Sequence, residues 1–229
     1  MKAAIVAGGF VKDGFTLNYI REHKFDMLYA VDRGMEFFCR TGLCPDVVVG
    51  DFDSVDPSVS AACREAWRTC GPEGKAVAWE VLDPVKDDTD TEHALQMAIA
   101  AGCQELHLLG ATGSRLDHVL GNIQLLGLCL RLGVKGYLVD EHNRLQLIGG
   151  NMRLLQKEQF GKYVSLIPYT PQVTGLTLTG FRYPLTEYTM SCFYLEDAAP
   201  ISGISNEIAA KEAWIELKSG ILILVESRD

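Results

Sequence analysis

The segment Val47–Ser54, with the sequence VVVGDFDS, joins three consecutive valines to a short acidic turn. A continuous run of β-branched apolar residues is typical of a strand that is buried on both faces of a parallel sheet. Open α/β sheets bind ligands at the carboxyl ends of their strands, where this turn would lie. In an extended strand Asp51 and Asp53 would point to one side and Phe52 to the other, into the packing. The alternative is a loop whose acidic residues only form turns and helix caps.

A second acidic string, Lys86–Asp90 (KDDTD), opens a helix-like stretch. Asp88 or Thr89 is suited to cap this helix, and acidic residues in a first turn favour the helix dipole, so part of the string needs no catalytic role. Asp87 and Asp90, three residues apart, would share a helix face. Gathered carboxylates repel one another unless a cation neutralises them, and Mg²⁺ often binds through carboxylates and substrate phosphates. The two strings together predict a protein that handles a metal-bound phosphate compound.

Outward from Val47–Ser54, short apolar runs alternate with longer amphipathic runs up to about residue 140. The predicted strands are 2–7, 27–31, 46–50, 76–81, 104–110 and 134–139, and the predicted helices are 14–22, 33–41, 57–68, 89–101 and 115–132. This alternation predicts an α/β fold with a Rossmann-like parallel sheet and helices on both faces. After residue 142, short β-like runs separated by glycine and proline predict an all-β sandwich. We therefore expect two domains, 1–142 and 143–229.

Composition limits the classes of partner. The 229 residues carry a formal net charge of −9, which argues against broad contact with a nucleic-acid backbone. A polyphosphate substrate stays compatible with this charge, because a bound metal supplies positive charge. The apolar stretch 119–130 is too short to cross a bilayer, and the amino terminus lacks the longer apolar core of a signal peptide. We expect neither a nucleic-acid nor a membrane partner.

Seven cysteines are scattered along the chain, and none of them forms a Cys-x-x-Cys motif. An odd number without paired spacing indicates neither a zinc knuckle nor a disulfide framework. Buried reduced thiols in a cytoplasmic protein are therefore the expectation.

A third string, Gly110–His118 (GATGSRLDH), follows a predicted strand and opens a predicted helix. Glycines let backbone N–H groups approach an anion at a helix amino terminus, and Arg115 adds a fork of donors. The spacing matches neither a Walker loop nor a Gly-x-Gly-x-x-Gly fingerprint. A plain turn with a solvated arginine is the alternative, and His118 taken alone is more simply a helix residue with a satisfied hydrogen bond.

Together the strings resemble the thiamine pyrophosphokinase family. The matching segments are Ala7–Gly9, Asp32–Gly34, Gly50–Ser54, Lys86–Asp90, Gly113–His118 and Ser202–Glu207, the last being similar to the family's Ser-x-Ser-Asn substrate segment. The resemblance implies an α/β catalytic domain and a β-sandwich thiamine-binding domain. It also implies a homodimer whose sites combine the catalytic domain of one subunit with the β domain of the other. Two positions depart from the family pattern: Arg33 stands where glycine is common, and Tyr183 stands where animal relatives carry tryptophan.

The resemblance implies transfer of a diphosphoryl group from ATP to the hydroxyl of thiamine, giving thiamine diphosphate and AMP, with Mg²⁺ as cofactor. The implied residues are Asp51, Asp53 and Asp90 as metal ligands; Gly8, Gly9, Asp32, Lys86, Thr89, Gly113 and Arg115 for the nucleotide; Tyr183, Ser205 and Asn206 for thiamine; and Asp87, Asp117 or His118 for activating the hydroxyl. Two alternatives stay open at this point. One is another Mg²⁺-dependent enzyme, a nucleotide hydrolase or a sugar-nucleotide transferase, and the other is a nucleotide- or thiamine-binding protein without turnover.

Overall fold

A computed structural model describes residues 1–71, 74, 76–85, 87–193 and 203–229 of the chain. These residues divide into two units, Met1–Glu141 and His142–Asp229. The first unit alternates strands and helices, and the second consists almost entirely of strands. The predicted fold class, an α/β part followed by an all-β part, is confirmed.

The first unit is a parallel sheet with connecting helices. Its elements are β1 (Lys2–Val6), α1 (Asp13–His23), β2 (Met27–Val31), α2 (Gly34–Thr41), β3 (Val47–Gly50), α3 (Pro57–Ala66), β4 (Ala78–Val81), α4 (Asp90–Ala100), β5 (Glu105–Leu109), α5 (Leu116–Arg131) and β6 (Lys135–Val139). The strands pair in parallel in the order β6-β5-β1-β2-β3-β4. Since β2 and β5 flank β1 on opposite sides, the order of the sheet reverses at β1, which is where open α/β sheets form ligand crevices.

Local sequence accounts for these elements. The valines of β3 are all buried, as expected for a strand covered on both faces. Helix α3 begins after Asp56, whose carboxylate accepts a hydrogen bond of 2.8 Å from the backbone N–H of Ser58, and Pro57 occupies its first position. Helix α4 begins after Thr89, whose hydroxyl oxygen accepts from the N–H of Glu92 at 3.2 Å. Of the two predicted caps, Asp88 and Thr89, the structure has Thr89.

Helix α5 is apolar on more than its buried side. Leu126 and Cys129 are buried against the sheet, whereas Leu116 and Leu120 in the first two turns are 72% and 62% exposed. None of the helices in the described part of the chain is both long enough and apolar enough to cross a membrane. The start of α5 thus exposes two large apolar side chains to solvent.

The second unit contains two antiparallel sheets. Its strands are β7 (Asn143–Ile148), β8 (Met152–Leu155), β9 (Tyr163–Pro168), β10 (Gln172–Thr179), β11 (Leu185–Ser191), β12 (Asn206–Glu207), β13 (Glu212–Glu216) and β14 (Leu222–Ser227), with a short 3-10 helix at Gln156–Glu158. The orders are β12-β9-β14-β7 and β11-β10-β13-β8. Alternate residues from both sheets, such as Leu166, Leu176, Ile215 and Leu224, form one buried core. This arrangement is the predicted sandwich.

The structure corrects the expectation for the cysteines. Cys39 of α2 is bonded to Cys63 of α3, and Cys44 is bonded to Cys70, with Cα atoms 6.3 Å and 6.0 Å apart. Cys103, Cys129 and Cys192 are free thiols, the first two of them buried. The prediction of reduced thiols is therefore wrong for four residues. The pairing depends on the packing of α2 beside α3, which the spacing of the cysteines in the sequence does not reveal.

Candidate active site

Loops that follow β1, β2 and β5 enclose a crevice of about 480 Å³ in the first unit. The loops after β1 and β5 are joined by hydrogen bonds from the N–H of Gly9 to the carbonyl of Gly110 at 2.8 Å and from Phe10 to Thr112 at 2.7 Å. A Cβ atom on Gly9 would lie 2.3 Å from the carbonyl oxygen of Thr112, so only glycine permits this approach. The paired loops form one wall of the crevice.

Three carboxylates meet beside this crevice. One carboxylate oxygen from each of three residues lies within 4.8 Å of the other two: Asp32 after β2, Asp51 after β3 and Asp90 at the start of α4. All three residues are partly buried. Burial, followed by the hydrogen bond and charge of Asp90 and the charge of Asp51, raises the pKa of Asp32 to about 8. The Oδ1 atom of Asp32 is buried and accepts no hydrogen bond from the described residues. Clustered carboxylate oxygens of this kind fit a hard divalent cation such as Mg²⁺.

The acidic turn after β3 differs from its expected geometry. The strand ends at Gly50, and Phe52 adopts a left-handed backbone with φ of 62°. Asp51 and Asp53 therefore do not share one side of an extended strand, and that expectation is wrong. Asp51 joins the carboxylate group, while the exposed Asp53 lines the crevice and donates its backbone N–H to Oδ1 of Asp51 at 3.1 Å. Phe52 packs against Trp79, with ring centroids 5.4 Å apart.

Seven of the predicted residues line the crevice: Gly8, Gly9, Asp32, Asp53, Gly113, Arg115 and His118. Arg115 donates two hydrogen bonds to Asp117, at 2.6 Å and 3.2 Å. These bonds, together with the backbone N–H of His118, lower the pKa of Asp117 to about 2. Asp87 and Asp117 are not among the described residues that line the crevice, and Lys86 lies outside the described residues. His118 is thus the candidate for a catalytic base that faces the crevice.

The crevice also contains six polar residues of the described part of the chain that were not among the predicted site residues: Arg33, Ser54, Thr91, Thr112, Ser114 and Asn122. The amide of Asn122 donates to the carbonyl of Ala111 at 2.8 Å and so ties α5 to the loop after β5. In the sequence, Asn122 is marked by being a polar residue within an apolar helix. Ser54 is part of the acidic turn after β3. Arg33 directly follows Asp32 and forms an ion pair with Glu36 at 3.3 Å.

The second unit has its own cavity of about 500 Å³. Its lining is largely apolar, including Leu166, Phe181 and Met190, and the three predicted thiamine-site residues Tyr183, Ser205 and Asn206 lie together along it. Ser202, at the start of the matching segment, lies outside the described residues. An apolar cavity with a few polar groups is typical of a small-molecule site.

The side chain of Asn206 is engaged by the protein itself. Its Oδ1 atom accepts from the backbone N–H of Tyr183 at 3.0 Å and from that of Glu207 at 2.9 Å, and its Nδ2 donates to the carbonyl of Tyr183 at 2.9 Å. The amide therefore holds the backbone of Tyr183 from both sides. Ser205 is fixed by a hydrogen bond from its N–H to the hydroxyl oxygen of Ser165 at 3.0 Å.

Comparison with known proteins assigns the family. The family model described as the catalytic domain of thiamin pyrophosphokinase matches residues 20–138, and the vitamin B1 binding domain matches residues 151–222. Thiamine pyrophosphokinase of Bacillus subtilis is 32% identical over 228 residues, covering 98% of each chain. A crystal structure of the Bacillus subtilis protein superposes with a TM-score of 0.84 at 28% identity and full coverage of both chains. The Geobacillus thermodenitrificans structure gives 0.81 at 30% identity, covering 100% of this chain and 98% of that one. The chain belongs to the thiamine pyrophosphokinase family.

Proposed function

We propose that the chain transfers a diphosphoryl group from ATP to the hydroxyl of thiamine, giving thiamine diphosphate and AMP. The thiamine hydroxyl oxygen bonds to the β-phosphorus of ATP, the bond from that phosphorus to the oxygen shared with the α-phosphate breaks, and AMP leaves with that oxygen. The hydroxyl proton passes to a base. Residues 1–142 would act as the catalytic domain and residues 143–229 as the thiamine-binding domain. Family membership supports the reaction, and the chemistry of the crevice supports the division of roles.

The observation that carries the proposal is the meeting of Asp32, Asp51 and Asp90 within 4.8 Å beside the crevice. We assign Asp51 and Asp90, with Asp32, as ligands of Mg²⁺, and Asp53 as a further ligand from the crevice wall. When bound, Mg²⁺ neutralises charge on the polyphosphate oxygens in the transition state. Before binding, burial opposes ionisation of Asp32, and the neighbouring carboxylates Asp90 and Asp51 oppose it further, which is why the pKa of Asp32 is raised.

The remaining crevice residues would bind and orient ATP. Gly8, Gly9 and Gly113 bring backbone close to the bound nucleotide, and the guanidinium of Arg115 at the amino terminus of α5 attracts phosphate. Thr89 caps α4 and would act on the nucleotide only through the position of that helix. Lys86 is proposed as a phosphate contact on sequence grounds alone.

Among the three candidates for accepting the hydroxyl proton, His118 is the best supported. It lines the crevice, and an imidazole is suited to proton transfer near neutral pH. Asp117 is committed to Arg115, and a carboxyl with a pKa of about 2 accepts protons poorly at neutral pH. Asp87 is exposed and is not among the described residues that line the crevice.

The cavity of the second unit is the proposed thiamine site. Its apolar lining suits the rings of thiamine, and the aromatic face of Tyr183 suits a permanent positive charge. Ser205 and Asn206 would shape this site from the turn before β12. The guanidinium of Arg182 lies 5.6 Å from the ring centroid of Tyr183, so this ring already contacts one cation of the protein.

A homodimer belongs to the same proposal, with each site combining residues of two subunits. Leu116 and Leu120 of α5 are exposed, as is Phe10 at 63% in the loop after β1, and all three are apolar side chains near the crevice. A second copy that covered them would remove this apolar surface from water. Light scattering at assay concentration should give twice the mass of the chain, and a fully active monomer would exclude a shared site.

A cytoplasmic location is also proposed, because ATP and Mg²⁺ are supplied there. The two disulfide bonds are unusual for that compartment. Fractionation of the source cells tests the location directly. Thiol titration of the unfolded, unreduced protein should give three thiols if both disulfide bonds form, from Cys103, Cys129 and Cys192, and seven after reduction.

The reaction is tested by measuring AMP release with ATP, Mg²⁺ and thiamine, each omitted in turn. The proposal expects AMP and thiamine diphosphate in equal amounts, and neither when any component is missing. AMP or ADP formed without thiamine would instead identify a nucleotide hydrolase. Binding of thiamine and ATP without any AMP would identify a protein that binds both and lacks turnover.

A further inference from the structure

Phe52 lies between the proposed metal ligands Asp51 and Asp53. Its backbone conformation is unfavourable for a residue with a bulky side chain. Its φ of 62° is in the left-handed region, which bulky residues rarely occupy. Its carbonyl accepts from the N–H of Val55 at 3.2 Å, so the chain turns sharply here. Such conformations persist only where the surroundings hold them, and they are frequent at functional sites.

The backbone of Phe52 is hydrogen-bonded to the Asp32 carboxylate, and its ring belongs to an aromatic stack built from two other elements. The ring of Trp79 on β4 meets the Phe52 ring nearly edge to face, with the ring planes at 61°. The guanidinium of Arg64, in the last turn of α3, lies 3.8 Å from the ring centroid of Trp79 and 5.9 Å from that of Phe52. Trp67, which is buried, backs Trp79 at 6.0 Å. Arg64 and Trp79 together form a clamp on the Phe52 ring.

The location of the clamp indicates a local role. Arg64 is exposed, Trp79 is only partly buried, and β4 forms the outer edge of the sheet in the first unit. A cation over an aromatic ring at such a site adds little to the stability of the whole domain. The clamp does, however, contact Phe52, and the backbone conformation of Phe52 sets the different orientations of the Asp51 and Asp53 side chains.

We propose that Arg64 and Trp79 are positioning residues of the metal site. By holding Phe52 in its left-handed conformation, the clamp turns Asp51 toward Asp32 and Asp90 and leaves Asp53 on the crevice wall. Neither Arg64 nor Trp79 is among the described residues that line the crevice. The inference rests on the proposed function in one respect, namely that these carboxylates bind a divalent cation.

The test measures Mn²⁺ binding to the ligand-free protein, in the absence of nucleotide and thiamine. Free Mn²⁺ is followed by electron paramagnetic resonance during titration of the full chain. Arg64→Gln and Trp79→Leu should each weaken Mn²⁺ binding by about threefold to tenfold, the range expected from losing a cation–π or aromatic contact. The Mg²⁺ concentration for half-maximal activity should rise by the same factor, while the KM for thiamine stays within twofold.

Matched variants separate positioning from general damage. Arg64→Lys retains a cation and should recover most of the Mn²⁺ affinity, as should Trp79→Phe, which retains a ring. Arg68→Gln is the control, because Arg68 follows the same helix and pairs with Glu65 at 2.9 Å on the exposed surface. It should bind Mn²⁺ like the unmodified chain.

The outcomes are distinct. Unchanged Mn²⁺ affinity in folded Arg64→Gln and Trp79→Leu, beside normal binding by the unmodified chain, overturns the clamp and leaves the proposed function intact. Failure of the unmodified chain to bind Mn²⁺ at all overturns the carboxylate metal site on which both rest. If Trp79→Leu does not fold, as judged by circular dichroism, Arg64→Gln decides, since an exposed arginine is replaced without opening the core.

Discussion

The crevice of the first unit and the cavity of the second have nearly the same volume, about 480 Å³ and 500 Å³, and opposite polar chemistry. Beside the crevice, three carboxylates meet and a buried oxygen of Asp32 has no hydrogen-bond donor among the described residues. Along the cavity, the amide of Asn206 has both of its ends hydrogen-bonded to backbone. The first site gathers carboxylate groups, while the polar groups of the second are hydrogen-bonded to the protein backbone.

This difference separates two kinds of functional residue. A carboxylate that is repelled by neighbouring carboxylates gains most of its stabilisation when a cation arrives, so its removal should abolish binding of that cation. A polar group that is already satisfied acts through the element it holds, so its removal should weaken binding moderately. Substitutions in the two sites should therefore differ in the size of their effects.

The largest effect is expected from Asp51→Asn. Loss of one charge from the carboxylate group should lower turnover by at least about a hundredfold at fixed Mg²⁺, comparable to removing a transition-state electrostatic contact. The KM for thiamine should stay within twofold in the residual activity. Asp56→Asn is the matched control, because asparagine caps α3 as well as aspartate does. Near-normal turnover of Asp51→Asn at saturating Mg²⁺ would remove this residue from the metal site.

Removal of the metal should have a clear effect on stability. At a Mn²⁺ or Mg²⁺ concentration a hundred times Kd, binding stabilises the folded state by about 2.7 kcal/mol. For a chain of this size that corresponds to a rise of roughly 5 to 10 °C in Tm relative to protein in chelator. Asp51→Asn should lose this rise and Asn206→Ala should keep it. An equal loss in both variants would contradict the separation of the two sites.

A smaller effect is expected from Asn206→Ala. Loss of hydrogen bonds worth about 1 kcal/mol should raise the KM for thiamine about fivefold to tenfold and leave the KM for ATP and the Mg²⁺ requirement unchanged. If Asn206 acts through Tyr183, Asn206→Ala combined with Tyr183→Ala should be no worse than Tyr183→Ala alone. Additive losses would mean that Asn206 contacts thiamine directly.

Asn151→Ala is the control for this variant. Asn151 also accepts a hydrogen bond from backbone in the second unit, from the N–H of Leu217 at 3.1 Å, and it does not line the cavity among the described residues. Its loss should lower Tm without changing the KM for thiamine.

The smallest effect concerns Asp117. Because its pKa is about 2, the carboxylate is ionised throughout the range from pH 5 to 9, and its charge does not change there. Asp117→Asn should therefore leave the shape of the pH–rate profile unaltered, with only a few-fold change in the KM for ATP as Arg115 loses its partner. Disappearance of the acid limb of the profile would instead identify Asp117 as the base.

Much of the fold follows from local pattern. The valines of β3, the amphipathic stretch of α4 and the glycine-punctuated runs of the second unit each predict the element that forms. In the second unit the apolar runs 145–148, 164–167, 176–179 and 221–225 predict β7, β9, β10 and β14, whereas no such run predicts β8, β11, β12 or β13. Their runs are short or interrupted, and a strand such as Asn206–Glu207 exists only because β9 provides its hydrogen-bond partner.

For the site, the order of strands and turns along the chain predicts that acidic, glycine-rich and arginine-bearing segments gather at one edge of a parallel sheet, because the carboxyl ends of parallel strands share that edge. Which carboxylates meet there depends on the folded backbone. The left-handed backbone of Phe52 breaks the two-residue alternation, so that Asp51 joins Asp32 and Asp90 while Asp53 does not join the same group. The folded backbone also determines the hydrogen-bond partner of the Asn206 side chain, Tyr183, which lies 23 residues away in the sequence. Hydrogen bonds and charges act through space, so residues distant in the sequence select each other only after the chain has folded.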